Sequence, residues 1–305
     1  MDRQGLPSGR ALPFYAAIPC PPDSRCRKPD PMIISFSRRF IFIHIHKCAG
    51  ESIESACAPA LARNDVLIGA GSSDQQSWIT DMFLERLTGF NKHSSAASVQ
   101  ERLGDFYSWF VKFAVVRRPD RRAYSLYTYC IDQACQSPGF QAYMGMDGAA
   151  LQALPWLDLL RLFWARQGQT IATAATVLRP GGVGPEVAFL DGEEVFTYNA
   201  VRACLMTDSF EAFLQHPLTA LDPGFAPQWQ MLAGAGGQLL VDHVLKLESL
   251  AEDWQPLAAR LGLPAELPRH NISRSAGLPP VTPAATAWLE QHFARDYDLF
   301  GYARS

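Results

Sequence analysis

Two short segments of the sequence hold residue types that bind anions. The first, HIHKCAGESI, occupies residues 44–53 and places Lys47, Gly50 and Ser52 between an apolar run and a helix-like pattern. Backbone N–H groups and the positive end of a helix dipole hold an anion at such a turn, and glycine lets the backbone approach it closely. The same residues also fit an ordinary turn with an exposed lysine. The pattern G-x-x-x-x-G-K-[ST] is absent from this segment, which disfavours a P-loop kinase or NTPase.

The second segment, VVRRPDRRAYSLY, occupies residues 115–127 and holds four arginines within six positions. Arg117 follows an apolar run, and Ser125 comes eight residues later, about two helical turns away. A guanidinium fork and a hydroxyl can together grip one phosphate. The alternative is a solvated basic helix end, where the charges contribute little.

Both segments follow apolar, β-branched runs that predict strands. FIFIHIH (40–46), VKFAVV (111–116) and VDHVLKLE (241–248) each lead into a turn and then a helical pattern. This alternation indicates an α/β fold with a parallel, doubly wound sheet, in which ligands bind at the carboxyl ends of the strands. A final helix is predicted over TPAATAWLEQHFARDYDLFGY (282–302).

The chain divides into a tail and one domain. Residues 1–31 include seven prolines without periodicity and predict a disordered tail. Residues 32–305 are expected to form a single domain with an insertion at about 136–205. Within the insertion, WLDLLRLFWARQ predicts a helix, and RPGGVGPEVAFLDGEEVFTY predicts a loop and a hairpin. We expect the insertion to lie over the substrate-binding edge of the sheet.

Composition excludes several classes of protein. The 305 residues carry a net charge of −3, with 48% hydrophobic and 19% charged residues, which is typical of a globular domain. A collagen or a small disulfide scaffold is excluded, and a general nucleic-acid binder is disfavoured because it needs surplus Lys and Arg. Seven cysteines without a C-x-x-C pair indicate reduced thiols in a cytoplasmic protein, and no metal site is predicted. No apolar run is long enough for a transmembrane segment.

Together the two segments resemble the nucleotide-binding motifs of a known enzyme family. HIHKCAGES is similar to H-I-P-K-T-G-G-T-S, and VRRPDRRAYSLY is similar to V-R-N-P-Y-D-R-L-V-S-A-Y. These motifs are typical of sulfotransferases that use 3′-phosphoadenosine-5′-phosphosulfate (PAPS), in the branch of heparan sulfate 2-O-sulfotransferases and bacterial carbohydrate sulfotransferases. NKHSSAASVQERLG (91–104) and the ending DYDLFGY also resemble this branch. The resemblance covers most of residues 34–302 apart from the insertion.

The resemblance implies a P-loop-NTPase-like three-layer fold, with a central parallel sheet flanked by helices. It also implies roles for individual residues. Arg117 and Ser125 would bind the 3′-phosphate of PAPS, and His93 would be the catalytic base. The 5′-phosphosulfate would be bound by the turn residues Lys47, Cys48, Ala49, Gly50, Glu51 and Ser52. Lys47 would also be catalytic, since its ammonium can neutralise the bridging oxygen as adenosine 3′,5′-bisphosphate leaves.

The chain departs from the family motifs at several positions. His46 stands where the family has Pro, Cys48 and Ala49 replace Thr-Gly, and Glu51 replaces a small Thr. A carboxylate at position 51 is unfavourable beside a phosphosulfate unless a cation compensates it or it points away. Arg121 replaces an acidic residue and makes the second motif more basic.

We therefore expect in-line transfer of a sulfuryl group from PAPS to a hydroxyl of a carbohydrate or glycoconjugate. Positioning and charge stabilisation carry such a reaction, with a neutral histidine taking the hydroxyl proton. Two alternatives remain open. One is a kinase-like phosphotransferase that binds ATP with Mg²⁺, and the other is a nucleotide-binding protein without turnover.

Overall fold

The computed structural model describes residues 32–68, 85–173, 198–268 and 280–304, with side chains up to residue 166 in the second range. The predicted N-terminal tail (1–31) and nearly all of the predicted loop and hairpin in the insertion (179–198) lie outside these residues.

Five strands form one sheet in the order β3-β1-β2-β4-β5. Strands β2, β4 and β5 run parallel, whereas β1 pairs antiparallel with both β2 and β3. The strands are β1 (Met32–Ser35), β2 (Phe40–Ile43), β3 (Val66–Ile68), β4 (Val111–Val116) and β5 (His243–Lys246). The α/β class is confirmed.

The expectation of an all-parallel sheet is wrong, because the sheet is mixed. β1 and β2 are joined by residues 36–39 alone, and a link that short makes a hairpin, whereas a parallel crossover needs about a dozen residues or more. Arg39, at the end of this link, has a positive φ of 56°. The parallel part of the sheet is the half that carries the two segments predicted to bind anions.

Helices pack around the sheet and make up most of the rest of the described chain. The α-helices are α1 (Gly50–Cys57), α2 (Ala96–Leu103), α3 (Pro119–Gln136), α4 (Pro138–Met144), α5 (Gly148–Ala153), α6 (Trp156–Thr173), α7 (Asn199–Met206), α8 (Phe210–Gln215), α9 (Pro217–Ala220), α10 (Gln228–Leu232), α11 (Leu250–Leu261), α12 (Pro283–His292) and α13 (Ala294–Leu299). Short 3₁₀ turns occupy Ala58–Ala60, Gly104–Trp109, Pro223–Phe225 and Leu247–Ser249. None of the helices in the described ranges is long and apolar enough to cross a membrane.

The predicted elements differ from the structure mainly at their ends. β2 ends at Ile43, so His44 and His46 lie beyond the strand. The predicted helix after RRP is confirmed as α3, and the predicted helix in the insertion is confirmed as α6. The single C-terminal helix is instead two helices, α12 and α13, that meet at Phe293.

Buried apolar side chains form two clusters. One joins both faces of the sheet to α1, α2 and α11, and it includes Phe42, Phe113 and Trp254, all fully buried. The other is entirely helical and is centred on α3, against which α4, α5 and α7 of the insertion pack. Because α3 starts at the carboxyl end of β4, it joins the sheet to the helical cluster at the edge where the two motifs lie.

Candidate functional site

The turn between β2 and α1 has an unusual backbone. Lys47 and Ala49 adopt left-handed conformations, with φ of 64° and 58°. Such conformations cost a non-glycine residue roughly 1–2 kcal/mol, so the surrounding contacts must fix them. Ala49 is the N-cap of α1, and its carbonyl accepts the N–H groups of Ser52 and Ile53. The N–H groups of Gly50 and Glu51 precede the first helical hydrogen bonds and are available to a ligand.

Gly50 is required at the start of α1 because the imidazole of His44 lies against it. A Cβ atom at position 50 would come within 2.1 Å of the His44 Nε2 atom. The His44 ring is itself buried and stacks on Phe42 of β2, with ring centroids 5.8 Å apart. The glycine of the first motif therefore makes room for a histidine of the same motif.

The side chains of the turn point in different directions. The Lys47 Nζ atom lies 3.8 Å from the ring centroid of Tyr129 on α3, a cation–π contact. Cys48 points into the core, where burial raises the pKa of its thiol to about 12. Cys48 can thus offer a ligand only its backbone, and its thiol stays protonated. The Ser52 side chain is buried, and Ala49 and Glu51 are half-buried.

The four arginines of the second motif have different surroundings. Arg122 is fully buried and donates to three consecutive backbone carbonyls, those of Gly224, Phe225 and Ala226. Arg118 pairs with Asp120, with Nε and Oδ1 2.7 Å apart, and the exposed Arg121 lies 3.8 Å from the same carboxylate.

Arg117 is the arginine suited to a ligand. It is half-buried, and burial lowers the pKa of its guanidinium below the ordinary value. No carboxylate in the described ranges forms an ion pair with it. The carboxylates of Glu248 and Asp120 act on Arg117 from a distance, but a partly desolvated cation without an ion pair among the described residues would be stabilised by an anionic ligand.

Ser125 lies on the α3 face that approaches the β2–α1 turn. Residues three and four apart share a helix face, so Arg122, Ser125 and Tyr129 lie along one side of α3. Lys47 reaches this side at Tyr129, one turn beyond Ser125. The Ser125 side chain is buried. The turn of the first motif therefore contacts the helix of the second motif through Lys47 and Tyr129.

His93 joins this site from the segment before α2. Its ring stacks on His46 with centroids 3.3 Å apart and an interplanar angle of 21°, and it lies 4.7 Å from the ring of His44. Its Nδ1 atom lies 3.2 Å from the carbonyl oxygen of His44. A carbonyl can only accept, so the proton resides on Nδ1 and the lone pair on Nε2.

Burial keeps the three histidines neutral. It lowers the pKa of His93 to about 3, with a further contribution from the charge of Lys92. Burial likewise lowers the pKa of His44 and of His46 well below the ordinary range, and His93 adds to both shifts. At neutral pH the cluster therefore presents an unprotonated Nε2 on His93.

No protein-family model matches the chain, and neither a curated protein nor a solved structure matches it.

Gln228 was not found by sequence reasoning, although it contacts both motifs. Its Oε1 atom accepts the backbone N–H of Arg117 at 2.9 Å, and its Nε2 atom donates to the carbonyl of Arg117 at 2.8 Å. The thiol of Cys48 lies 3.4 Å from the same Oε1 atom and 3.4 Å from the carbonyl oxygen of His46, so the two oxygens share its one hydrogen. No pattern in the sequence marks this glutamine, because it lies 111 residues after Arg117.

Glu248 holds the end of β5 against the second motif. One carboxylate oxygen accepts the backbone N–H of Arg118 at 2.8 Å, and the other accepts the hydroxyl of Tyr302 at 2.9 Å. This arrangement orients the loop after β4 rather than reaching a ligand.

An open groove of about 570 Å³ lies at the opposite end of the sheet. It is lined by the 3₁₀ turn after α2 and by Lys112 and Asp242, which form an ion pair of 2.9 Å. None of the predicted site residues lines it, so its volume is separate from the candidate site. Within the described ranges, no group of three His, Cys, Asp or Glu side chains could hold a metal ion.

Proposed function

We propose that the chain is a PAPS-dependent sulfotransferase (EC 2.8.2 type) acting on a hydroxyl of a carbohydrate or glycoconjugate. The observation that carries the proposal is the half-buried Arg117, without an ion pair among the described residues, beside a βα turn that holds Lys47. Two separate cationic positions suit a nucleotide with phosphates at both its 3′ and 5′ positions.

The parallel strands β2, β4 and β5, each followed by a helical turn, support a P-loop-NTPase-like arrangement as part of this proposal. In open α/β sheets, ligands bind outside the carboxyl ends of the strands. The turn after β2 and Arg117 after β4 both lie at this edge. The identity of the donor and of the acceptor class comes from the motif resemblance.

In the proposed complex, residues of the two motifs would bind PAPS at both ends. Lys47 and the N–H groups of Gly50 and Glu51 would bind the 5′-phosphosulfate, with Ala49 and the backbone of Cys48 shaping the turn and Ser52 beside it. Arg117 and the Ser125 hydroxyl would bind the 3′-phosphate. Glu51 is only half-buried, which gives its carboxylate room to turn away from the sulfate.

Bound PAPS supplies the sulfuryl group, and adenosine 3′,5′-bisphosphate leaves. His93 Nε2 takes the proton of the acceptor hydroxyl, since Nδ1 is committed to the carbonyl of His44. Lys47 moves from the Tyr129 ring to the phosphate oxygen that becomes negative. The contact with Tyr129 is worth about 0.5–1 kcal/mol at an exposed position, so the ammonium leaves it at small cost.

A transfer assay tests the proposal directly. Protein is incubated with ³⁵S-labelled PAPS and a mixture of carbohydrate acceptors, and label in the carbohydrate fraction is measured. We expect transfer by the wild type and a loss of about 10²–10⁴-fold in His93→Ala with unchanged affinity for adenosine 3′,5′-bisphosphate. Binding of the bisphosphate without transfer to any acceptor would favour a nucleotide-binding protein without turnover. Preference for ATP with Mg²⁺ would favour a phosphotransferase.

A further inference from the structure

The side chain of Gln228 replaces a strand at the end of β4. The β2–β4 pairing ends at Ala114, and the β4–β5 pairing ends at Val116, so Arg117 lies beyond the ladder on both sides. The carboxamide of Gln228 pairs with both the N–H and the C=O of Arg117, as a neighbouring strand would. This pairing continues the hydrogen-bond pattern of β4 by one residue, from Val116 to Arg117.

The orientation of the carboxamide is fixed by chemistry. The Arg117 N–H requires an acceptor and the Arg117 carbonyl requires a donor, so the oxygen and nitrogen of Gln228 can occupy only the positions observed. Oε1 can accept a second hydrogen bond, and the thiol of Cys48 lies 3.4 Å from it, the same distance as from the backbone carbonyl of His46. One buried side chain thus connects the turn of the first motif to the backbone of the second.

The helix that carries Gln228 is itself anchored. The carboxylate of Asp296 on α13 accepts the backbone N–H of Gln228 at 2.8 Å and that of Trp229 at 2.9 Å. Arg122 binds the three carbonyls immediately before this helix. The start of α10 is therefore held by two charged side chains, and both Gln228 and Asp296 are completely buried.

We propose that Gln228 is a positioning residue that sets the separation of the two anion sites, and hence selects a nucleotide with phosphates at both 3′ and 5′ positions. The inference rests on the proposed function for the identity of that nucleotide. Arg117 contributes the 3′ site, and the turn around Cys48 contributes the 5′ site. If Gln228 merely stabilised the fold, replacing it would lower the affinity for every nucleotide alike. If it sets the separation of the two anion sites, replacing it lowers the affinity for the doubly phosphorylated nucleotide selectively.

The test compares Gln228→Met with Gln230→Met. Methionine has a similar length and shape but removes all three hydrogen bonds, and the exposed Gln230 lies on the same helix as a matched control. In Gln228→Met we expect the affinity for adenosine 3′,5′-bisphosphate to fall about tenfold or more, and the affinity for 5′-AMP to change less than about threefold. Gln230→Met should match the wild type for both ligands. Equal losses for both ligands, or none in a folded Gln228→Met, would overturn the proposal.

Residue-resolved hydrogen exchange separates this inference from the proposed function. In the wild type, the Arg117 amide should be protected although it lies beyond the strand pairing, and Gln228→Met should increase its exchange rate at least about tenfold. A freely exchanging Arg117 amide in the wild type would overturn the positioning role even if Gln228→Met did not fold. If the amide is protected but the wild type shows no preference for the bisphosphate, the connection between the motifs stands, and the proposed function and the selective role both fail.

Discussion

The Nδ1 atom of His93 lies 3.2 Å from the carbonyl oxygen of His44, the residue immediately after strand β2. This hydrogen bond joins the candidate base to the strand that precedes the candidate phosphosulfate turn. It places the ring proton on Nδ1 and leaves a lone pair on Nε2, which in the proposed reaction would accept the proton of the acceptor hydroxyl. The end of β2 therefore positions both His93 and the turn that contains Lys47.

The stacking of His46 on His93 predicts a pH effect on transfer. The pKa of His93 is lowered to about 3, chiefly by burial, so its neutral form persists well below neutral pH. His46→Ala opens the site to water, and we expect the pKa of His93 to rise toward 6.5 because desolvation is relieved. The acid limb of the pH–rate profile should then move to higher pH, and ³⁵S transfer at pH 5 should fall relative to transfer at pH 8. An acid limb at the same pH in both proteins would contradict this account of the histidine stack.

The same cluster makes stability depend on pH. His44, His46 and His93 all have pKa values lowered by burial, so below pH 6.5 the unfolded chain binds more protons than the folded one. The free energy of unfolding is therefore highest above pH 6.5, and it falls as the pH drops toward the pKa values that the three histidines have in the folded protein. Each fully shifted histidine accounts for up to roughly 2 kcal/mol between pH 6.5 and pH 5.

Urea unfolding at pH 7.5 and pH 5 measures this dependence. His93→Gln should lose less stability between the two pH values than the wild type, because one histidine no longer titrates. The half-buried His243 lies on β5 outside the cluster, and His243→Gln is the control that should keep the wild-type dependence. Equal losses in His93→Gln and in the wild type would show that the cluster does not carry the effect.

Gly50 tests the geometry of the turn. Gly50→Ala places a methyl group 2.1 Å from the His44 Nε2 atom, which forces the buried ring or the helix start to move. Overpacking of this kind costs about 1–3 kcal/mol, and a lowered unfolding midpoint measures it. Ser55→Ala, on the exposed side of the same helix, should leave stability within about 0.5 kcal/mol of the wild type. A stable Gly50→Ala protein would mean that the His44 ring is not held against the turn.

The sequence predicted the parts of the site that are local in the chain. Lys47 and Gly50 lie in a strand–turn–helix pattern, and Arg117 with Ser125 lie in a second one, so periodicity and turn residues were enough to place them. The carboxyl ends of β2 and β4 were expected to lie close together, because the carboxyl ends of parallel strands meet at the same edge of a sheet. The predicted helices α3 and α6 are also confirmed, because their apolar positions repeat at helical spacing within one short segment.

The remaining features depend on contacts that are distant in sequence. Strand β1 pairs antiparallel with β2 through a short hairpin, which the alternation of strands and helices along the chain does not predict. The four arginines looked equivalent in the sequence, yet Arg122 is buried on the carbonyls of residues 224–226, about 100 positions away. Gln228 reaches Arg117 from a helix that no pattern connects to the second motif. Such polar contacts arise only when tertiary packing brings the segments together.

The proposed assignment of Lys47 to the 5′-phosphosulfate and of Arg117 to the 3′-phosphate can be tested with nucleotides that carry a single phosphate. Lys47→Ala should lower the affinity for 5′-AMP and leave the affinity for 3′-AMP unchanged, and Arg117→Ala should have the opposite effect. We expect each loss to be about tenfold or more, since one charge-assisted hydrogen bond is removed. Arg121→Ala is the matched control for Arg117→Ala, because the Arg121 side chain belongs to the same motif but is exposed. If each variant lost affinity for both nucleotides to the same extent, the result would contradict the proposal of two separate phosphate sites.

The most direct test of the sulfotransferase account is calorimetric titration of the wild-type protein with adenosine 3′,5′-bisphosphate, 5′-AMP and ATP with Mg²⁺. We expect the bisphosphate to bind at least about tenfold more tightly than either of the others, since it alone occupies both the Lys47 turn and Arg117. Equal affinity for the three nucleotides, or no binding of the bisphosphate, would contradict the account and leave the two motifs as ordinary strand–helix turns.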